Sequence, residues 1–572
     1  MVRRLAALAL AASSLVVVHA APLHAQLVRG RAVAPADSAA VSGVLVQLVS
    51  ASGAIVAQAM SDQRGGFALR APSGGDYRLR ALRIGFRPTA GDVFAVAGSG
   101  ITMHSLTLTG AAVTLAATRV SAAERCDAGT DTTSLGFRAW EQARTALQAS
   151  MVTRQSNSYD VELVVSSLAR AMPSDSVLRY TERVSRTTSS RPFTAFPLSR
   201  LRDSGYVVHE EGVVTFAAPD EEVLLSEDFA TTHCMRALPP QGDTIVLVFT
   251  PTRDRRLSDV AGSLVLSRES SELRRLRFEY VNISREEREA RPGGELVFLR
   301  LPSGGWIVQR WRIRFPDLER HTTETFGGGT TSRMTSRVDV DVRTVGWQED
   351  RGEALRVQEN GRLVWRAPTT TLSGIVLDDS LMRPVVGADV RTTGAPAGAT
   401  TDSTGRFVLR DVRLGDLQLQ VVAPYMEMLG AAPLRVHVLT RGDSSRAELR
   451  VAHPFHAVEE ACDAAGHPLS RRAERSMVRG IVRDAYGGRA GATDVSITWT
   501  HQPSGAASEL RELRVRGSST GDYAACGVPL GVPLHIRAIA GDRIVGEATA
   551  TIPLSAVGAL VDVRPPADAH PN

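Results

Sequence analysis

The chain has 572 residues, with 66 basic and 61 acidic side chains, four cysteines and a formal charge of +5. Every basic residue is arginine, which excludes the phosphate-loop, Schiff-base and kinase chemistries that turn on a lysine. The small positive excess gives no indication of a nucleic-acid partner, and the length implies several domains.

Residues 1–25 have the pattern of a signal peptide. Arg3 and Arg4 precede the apolar run Leu5 to Val18, and Leu23-His-Ala25 offers a small-residue cleavage site before Gln26. The run is shorter than the about 20 residues that span a bilayer. The residue directly after the cleavage site is Gln26 rather than a cysteine, and no later stretch is apolar enough to span. An exported protein without a transmembrane segment after signal removal is expected, in the periplasm, at the outer-membrane periphery or secreted.

After the signal, one punctuation of glycines and an aromatic occurs three times. Gly30, Gly43, Asp62, Gly65, Phe67 and Gly75 are matched by Gly374, Gly387, Asp402, Gly405, Phe407 and Gly415. The third set is Gly480, Gly491, Ser518, Gly521, Tyr523 and Gly531. The turn glycine, the aromatic and the later glycine keep identical spacing, so one small β module is used three times. Val44, Val46 and Leu48 alternate with their neighbours as in a half-buried strand. Asp62-Gln-Arg-Gly65 and Asp402-Ser-Thr-Gly405 then supply tight turns, the carboxylate accepting from amides two residues on and the glycine taking positive φ. Phe67 and Phe407 begin the returning strands and point to the core.

These residues resemble the carboxypeptidase regulatory-like domain, a transthyretin-like (prealbumin-like) β-sandwich. The resemblance rests on Val28-Arg-Gly-Arg-Ala-Val33, Ser61-Asp-Gln-Arg-Gly-Gly-Phe67 and Gly75-Asp-Tyr-Arg-Leu79, then on Ser373-Gly-Ile-Val-Leu-Asp378 and Thr401-Asp-Ser-Thr-Gly-Arg-Phe407. In the third copy Arg479-Gly-Ile-Val-Arg-Asp484 and Tyr523 remain, while Ser518 replaces the turn aspartate. The family implies an accessory module found beside peptidases and on cell-surface proteins, in a superfamily that includes carbohydrate-binding modules. The expected division is a first sandwich at 27–118, a linker at 119–135, a central domain at 136–366, a second sandwich at 371–452, a linker at 453–475 and a third sandwich at 476–566.

The central region changes character. Ser134 is placed to cap a helix with Trp140, Ala143, Leu147 and Met151 on one face. Strands follow at Thr244–Phe249, Gly262–Leu266, Leu273–Tyr280, Gly294–Leu299 and Trp306–Trp311, close enough for an antiparallel meander. Glu222-Val-Leu-Leu-Ser-Glu-Asp-Phe229, His233-Cys234 and Gly305-Trp-Ile-Val308 resemble a functionally obscure core that accompanies this module in secreted bacterial proteins. The strand progression also resembles the curved sheet of lipoprotein carriers, in which Phe249, Phe278 and Trp311 would line an acyl-chain cavity; the alternative is that they fill the core under the helix.

Cys126, Cys234, Cys462 and Cys526 read as disulfides in an exported chain, and spacing suggests Cys126 with Cys234 and Cys462 with Cys526, although three pairings are open. No catalytic constellation is expected. His321-Thr-Thr-Glu324 and His456-Ala-Val-Glu459 have the spacing of a metallocarboxypeptidase zinc pair, with His437 as a conceivable third ligand, but the first lies among strands and the second in a linker. Gly517-Ser-Ser-Thr-Gly521 is the turn of the third module rather than a nucleophile elbow. Asp339 and Asp341, set among Arg337 and Arg343, read as cross-strand ion pairs, and Gly327-Gly-Gly329 as a loop tip.

The expected molecule is mostly β, with three transthyretin-like β-sandwich modules flanking a central antiparallel β-sheet domain that opens with one helix. Its expected role is that of a non-catalytic exported scaffold without cofactor or metal. The partners would be a carbohydrate, a peptide or an envelope protein, with no nucleic acid; a lipid carrier is the alternative and a zinc peptidase the more remote one.

Overall fold

The computed structural model describes residues 26–109, 135–156, 158–188, 195–210, 213–327, 335–393, 397–467, 469, 476–502 and 507–565, with backbone alone for 321–327 and 335–341. The segment 1–25, Cys126 and Ser134 lie outside the described residues. The described chain forms two compact units, one running to Arg366 and one from Ala367, the short run Glu182–Val184 going with the second.

Three sandwiches share one plan. In the first, strands Gly66–Ala71, Gln26–Val33 and Ile101–Met103 form one layer, and Ile55–Met60, Leu45–Ser50, Gly75–Leu82 and Thr89–Val96 form the other. The second repeats this order with Arg406–Arg413, Thr369–Asp378 and Ser444–Val451 against Ala399–Thr400, Asp389–Thr392, Gly415–Val422 and Leu434–Thr440. The third does so with Asp522–Cys526, Met477–Ile481 and Gly558–Leu560 against Glu509–Arg516, Asp494–His501, Pro533–Ala540 and Arg543–Thr551. In every copy the opening strand pairs antiparallel with the strand that carries the aromatic and parallel with a later one.

The register explains why the glycine and the aromatic recur together. Gly30 pairs with Phe67, Gly374 with Phe407 and Gly480 with Tyr523. Each ring lies over the bare backbone of its partner: a Cβ on Gly30 would meet Phe67 at 2.4 Å, and one on Gly374 would meet Phe407 at 2.6 Å. An aromatic that covers a cross-strand glycine restores the apolar area the glycine lacks. Tyr523 does the same and also donates from its hydroxyl to the Val561 carbonyl at 2.7 Å.

The turns also repeat. Asp62 Oδ1 accepts from the amides of Arg64 and Gly66, each at 2.8 Å, and Asp402 Oδ1 from Thr404 and Arg406 at 2.8 and 2.9 Å. Ser518 Oγ takes the corresponding pair from Thr520 and Asp522 at 3.2 and 3.1 Å, so the serine preserves the turn. Gly65, Gly405 and Gly521 stand at φ 74, 75 and 78°, the left-handed region that the turn requires.

The central sheet is a single antiparallel layer. Its order runs Val177–Thr187, Tyr159–Ala171, Thr335–Glu359, Trp306–Gly327, Gly293–Arg300, Leu273–Val281, Asp259–Ser267, Thr244–Pro251 and His233–Ala237, with Arg362–Arg366 also paired to Thr335–Glu359. From Thr244 to Gly327 successive strands are neighbours, the expected meander. One face is covered by the helix α1, Leu135–Gln155, and by short helices that include Glu221–Leu225 and Glu227–Thr232.

The expected one-sided helix is corrected. Ala139, Gln142, Ala143, Thr145, Ala146, Leu147, Ala149, Ser150, Val152 and Thr153 are all buried, so α1 is enclosed over most of its circumference, while Trp140 and Met151 are only half-buried. The reason is a second partner within the same unit. Val152 packs with Leu45 and Leu82 of the first sandwich, and Gln142 Oε1 accepts from the Gly85 amide at 2.7 Å. On the other side Thr153 Oγ1 accepts from the Trp306 amide at 3.0 Å. Small side chains let the helix sit close to both neighbours.

The segment 453–475, expected as a linker, carries a helix of its own. Pro454–Ala464 is a helix with Pro454 in its first turn, and it buries Ala457, Val458 and Cys462 against Leu429, Met477 and Val557. Cys462 is bonded to Cys526 across 64 residues, which ties this helix to the third sandwich.

Candidate functional site

The two faces of the central sheet differ in chemistry. On the covered face Phe249, Phe278 and Trp311 are 0, 5 and 7% exposed and belong to one core cluster with α1. Each again lies over a cross-strand glycine: Phe249 over Gly262, Phe278 over Gly294 and Trp311 over Gly352. The volume an acyl chain would need on this face is filled by these rings.

The opposite face carries arginine. Strand alternation places Arg275, Arg277 and Glu279 there from one strand, Gly293 and Glu295 from the next, then Arg310, Arg312 and Arg314, then Glu349 and Arg351. The register aligns them in rows. Arg277, Glu295, Arg312 and Arg351 stand side by side across four strands, and Glu279, Gly293, Arg314 and Glu349 form the adjacent row. Gly293 contributes no side chain to its row, and a cleft of about 730 Å³ opens there. Its lining also takes Arg288 and Arg291 from the short helix Arg285–Glu289 and the turn after it.

Two carboxylates fix the guanidinium groups. Glu295 lies 2.8 Å from Arg277 and 3.7 Å from both Arg275 and Arg312. Glu349 lies 3.0 Å from Arg314 and 2.6 Å from Arg351, and Arg314 also stacks 4.0 Å over the Trp347 ring. Burial alone would raise both glutamates, yet both stand below the usual carboxylate range, Glu295 because of Arg277, Arg275 and Arg312 and Glu349 because of Arg351 and Arg314. They are therefore charged at neutral pH. Five arginines against three glutamates in the lining leave the cleft positive.

A buried polar cluster sits beneath the short helices. Asp259 is fully buried, with Arg255 Nε donating to it at 2.8 Å; His233 Nε2 lies 3.2 Å from it and meets the Val260 carbonyl at 3.1 Å. Arg255 also donates to the Leu201 carbonyl at 2.9 Å, and His233 stacks 3.9 Å from Phe229. The adjoining hollow is only about 40 Å³, the room of a water molecule or two. Every strong donor here is spent on the protein itself, so the cluster pins the strand Asp259–Ser267 to the helices above it.

The sequence-derived candidates fall apart from one another. Gly65, Gly405 and Gly521 are turn residues, Phe67, Phe407 and Tyr523 core rings, and Gly75, Gly415 and Gly531 positive-φ residues at 149, 105 and 71°. Cys234 is disulfide-bonded, and Cys126 lies outside the described residues. His321 and Glu324 belong to the strand Trp306–Gly327, Asp339 and Asp341 to Thr335–Glu359, and their side chains lie outside the description. His437 Nδ1 meets Asp416 at 3.3 Å, and His456 Nδ1 meets Ser380 Oγ at 3.3 Å and Asp379 at 3.6 Å. His456 and Glu459 lie on the helix Pro454–Ala464 rather than in an open linker. Among the described residues no group of three or more His, Cys, Asp or Glu could hold a metal, and no helix is long and apolar enough to cross a membrane.

The arginine cleft was missed by sequence reasoning, although part of its signal is present. Leu273-Arg-Arg-Leu-Arg-Phe-Glu-Tyr280 shows one charged and one apolar face, but only the register shows which residues of other strands stand beside Arg277.

Repeated sandwiches joined to a single-layer sheet define a multi-module, mostly β protein. Residues 28–109 and 371–451 match the family model described as the carboxypeptidase regulatory-like domain, and these two segments are such domains. The match does not extend to the third sandwich, whose strand order is nevertheless the same. No curated protein matches the chain. Among solved structures, the major pilin subunit of Bacillus cereus is 8% identical, covering 74% of this chain and 99% of its own, with a TM-score of 0.13. A streptococcal ancillary pilin is 11% identical over 48% of this chain and 81% of its own, at 0.15. A Bacteroides uniformis protein of the DUF3823 family is 11% identical over 32% and 100%, at 0.12. Scores this low carry neither a shared arrangement nor a function.

Proposed function

We propose that the protein is an exported, non-catalytic binding scaffold of the cell envelope whose working surface is the open face of the central sheet. The block 136–366 carries that surface, and the sandwich modules at 27–118, 371–452 and 476–566 serve as accessory domains. Export is supported by the pattern of residues 1–25 and by the Cys462 to Cys526 bridge, which fits an oxidising compartment.

The observation that carries the reading is the contrast between a filled covered face and an open face with a cleft of about 730 Å³ walled by fixed arginines. A lipid carrier would need the volume that Phe249, Phe278 and Trp311 occupy. The test is native purification from the envelope fraction, with mass spectrometry for bound glycan, protein and lipid, on the wild type and on Arg277→Gln/Arg312→Gln. Material that is retained by the wild type and lost from the variant supports the proposal. Bound lipid retained by both, or a cytoplasmic location, overturns it.

A further inference from the structure

We infer that the cleft on the open face binds a linear polysaccharide bearing carboxylates, such as a polyuronate; this rests on the reading of that face as the binding surface.

Charge complementarity fixes the sign of the ligand. Arg277, Arg312 and Arg314 present planar forks that are already oriented by Glu295 and Glu349, so little side-chain freedom is lost when they take a carboxylate. A guanidinium has five N–H donors, and one shared carboxylate does not exhaust two or three such groups.

The glutamates narrow the class. A ligand as densely charged as a nucleic acid would place its phosphates against Glu279, Glu295 and Glu349, all of which line the cleft. A sugar acid alternates a carboxylate with several hydroxyls, and hydroxyls donate as well as accept. Its carboxylates suit the arginines, and its hydroxyls suit the glutamate oxygens.

An acidic peptide fits less well. The strands that floor the cleft, Leu273–Val281, Gly293–Arg300 and Trp306–Gly327, each have a neighbour on both sides, so no free edge can add a peptide strand. The cleft lining mixes these charged side chains with Phe278, Tyr280, Val281 and Pro292, so the missing strand edge is what disfavours a peptide. Gly293 lines the cleft in the row that holds Arg314, next to the row that holds Arg277.

Isothermal titration of the purified full chain tests this with three probes of similar length: polygalacturonate, a neutral glucan and polyglutamate. Polygalacturonate is expected to bind, with affinity that falls steeply as sodium chloride is raised, and Arg277→Gln/Arg312→Gln should weaken it about tenfold or more. Arg291→Gln removes an exposed cleft arginine outside both glutamate networks. It should weaken binding without altering the melting temperature, which keeps the test valid if the double variant misfolds. The neutral glucan should not bind. Polyglutamate binding as tightly as polygalacturonate, or no binding of polygalacturonate, overturns the ligand class. If envelope material still co-purifies in a cleft-dependent manner after such a result, the binding role stands and only the ligand is wrong.

Discussion

The sandwiches and the central sheet solve the same packing problem and then part. Both place a ring over a cross-strand glycine, as Phe407 does over Gly374 and Trp311 over Gly352. In a sandwich the second layer of strands covers that ring. In the central sheet α1 and short helices cover it, which leaves the charged part of the far side, around Arg277 and Arg312, in water. A two-layer module offers loops and edges, whereas the single layer offers a face, and the face is where charged residues from neighbouring strands can be set in rows.

If the rings are structural in both regions, their removal should cost alike. Phe407→Ala and Trp311→Ala are each expected to destabilise their unit by about 4 kcal/mol, read by chemical denaturation. A Trp311 variant with unchanged stability would separate the two regions and return the central sheet to a ligand cavity. Asp259→Asn should cost about 3 kcal/mol, because Arg255 would be left without its buried carboxylate. A variant that keeps its midpoint but loses bound material would instead make that cluster functional.

Breaking the bridge with Cys462→Ser should cost about 2–3 kcal/mol in the unit that begins at Ala367 and nothing in the other, a difference visible as the shift of one thermal transition. Glu349→Gln gives the smallest of these stability effects, about 1 kcal/mol at pH 7. Its sign with pH follows from the lowered folded value. The contribution is complete above the ordinary glutamate range near pH 4.3 and is lost as pH falls through the folded value, so wild type and variant should converge in acid.

The sandwiches were legible because their signals are local. An aspartate, a glycine three residues on and an aromatic two after that specify a turn and the start of a strand within six residues, and Ser518 kept that geometry when the aspartate was absent. The meander was legible for the same reason, from short apolar alternations with brief turns between them. The pairing of Gly30 with Phe67 is separated by a whole hairpin and needed the register. The enclosure of α1 was hidden for a different reason: alanine, serine and threonine look neutral in a helical wheel, and their burial depends on a partner far away in sequence. The row from Arg277 to Arg351 joins four strands and could be assembled only after all four were placed.

The double-sided burial of α1 has a practical consequence for anyone who wishes to cut this chain. A boundary drawn between the first sandwich and the central sheet, natural by sequence, would strip one side from a helix made of small apolar residues and bare Val152 together with Leu45 and Leu82. A fragment starting at 136 would then carry a greasy seam and stick to itself, and the first sandwich alone would carry the matching half. For expression or module exchange, the two are best handled as one indivisible cassette.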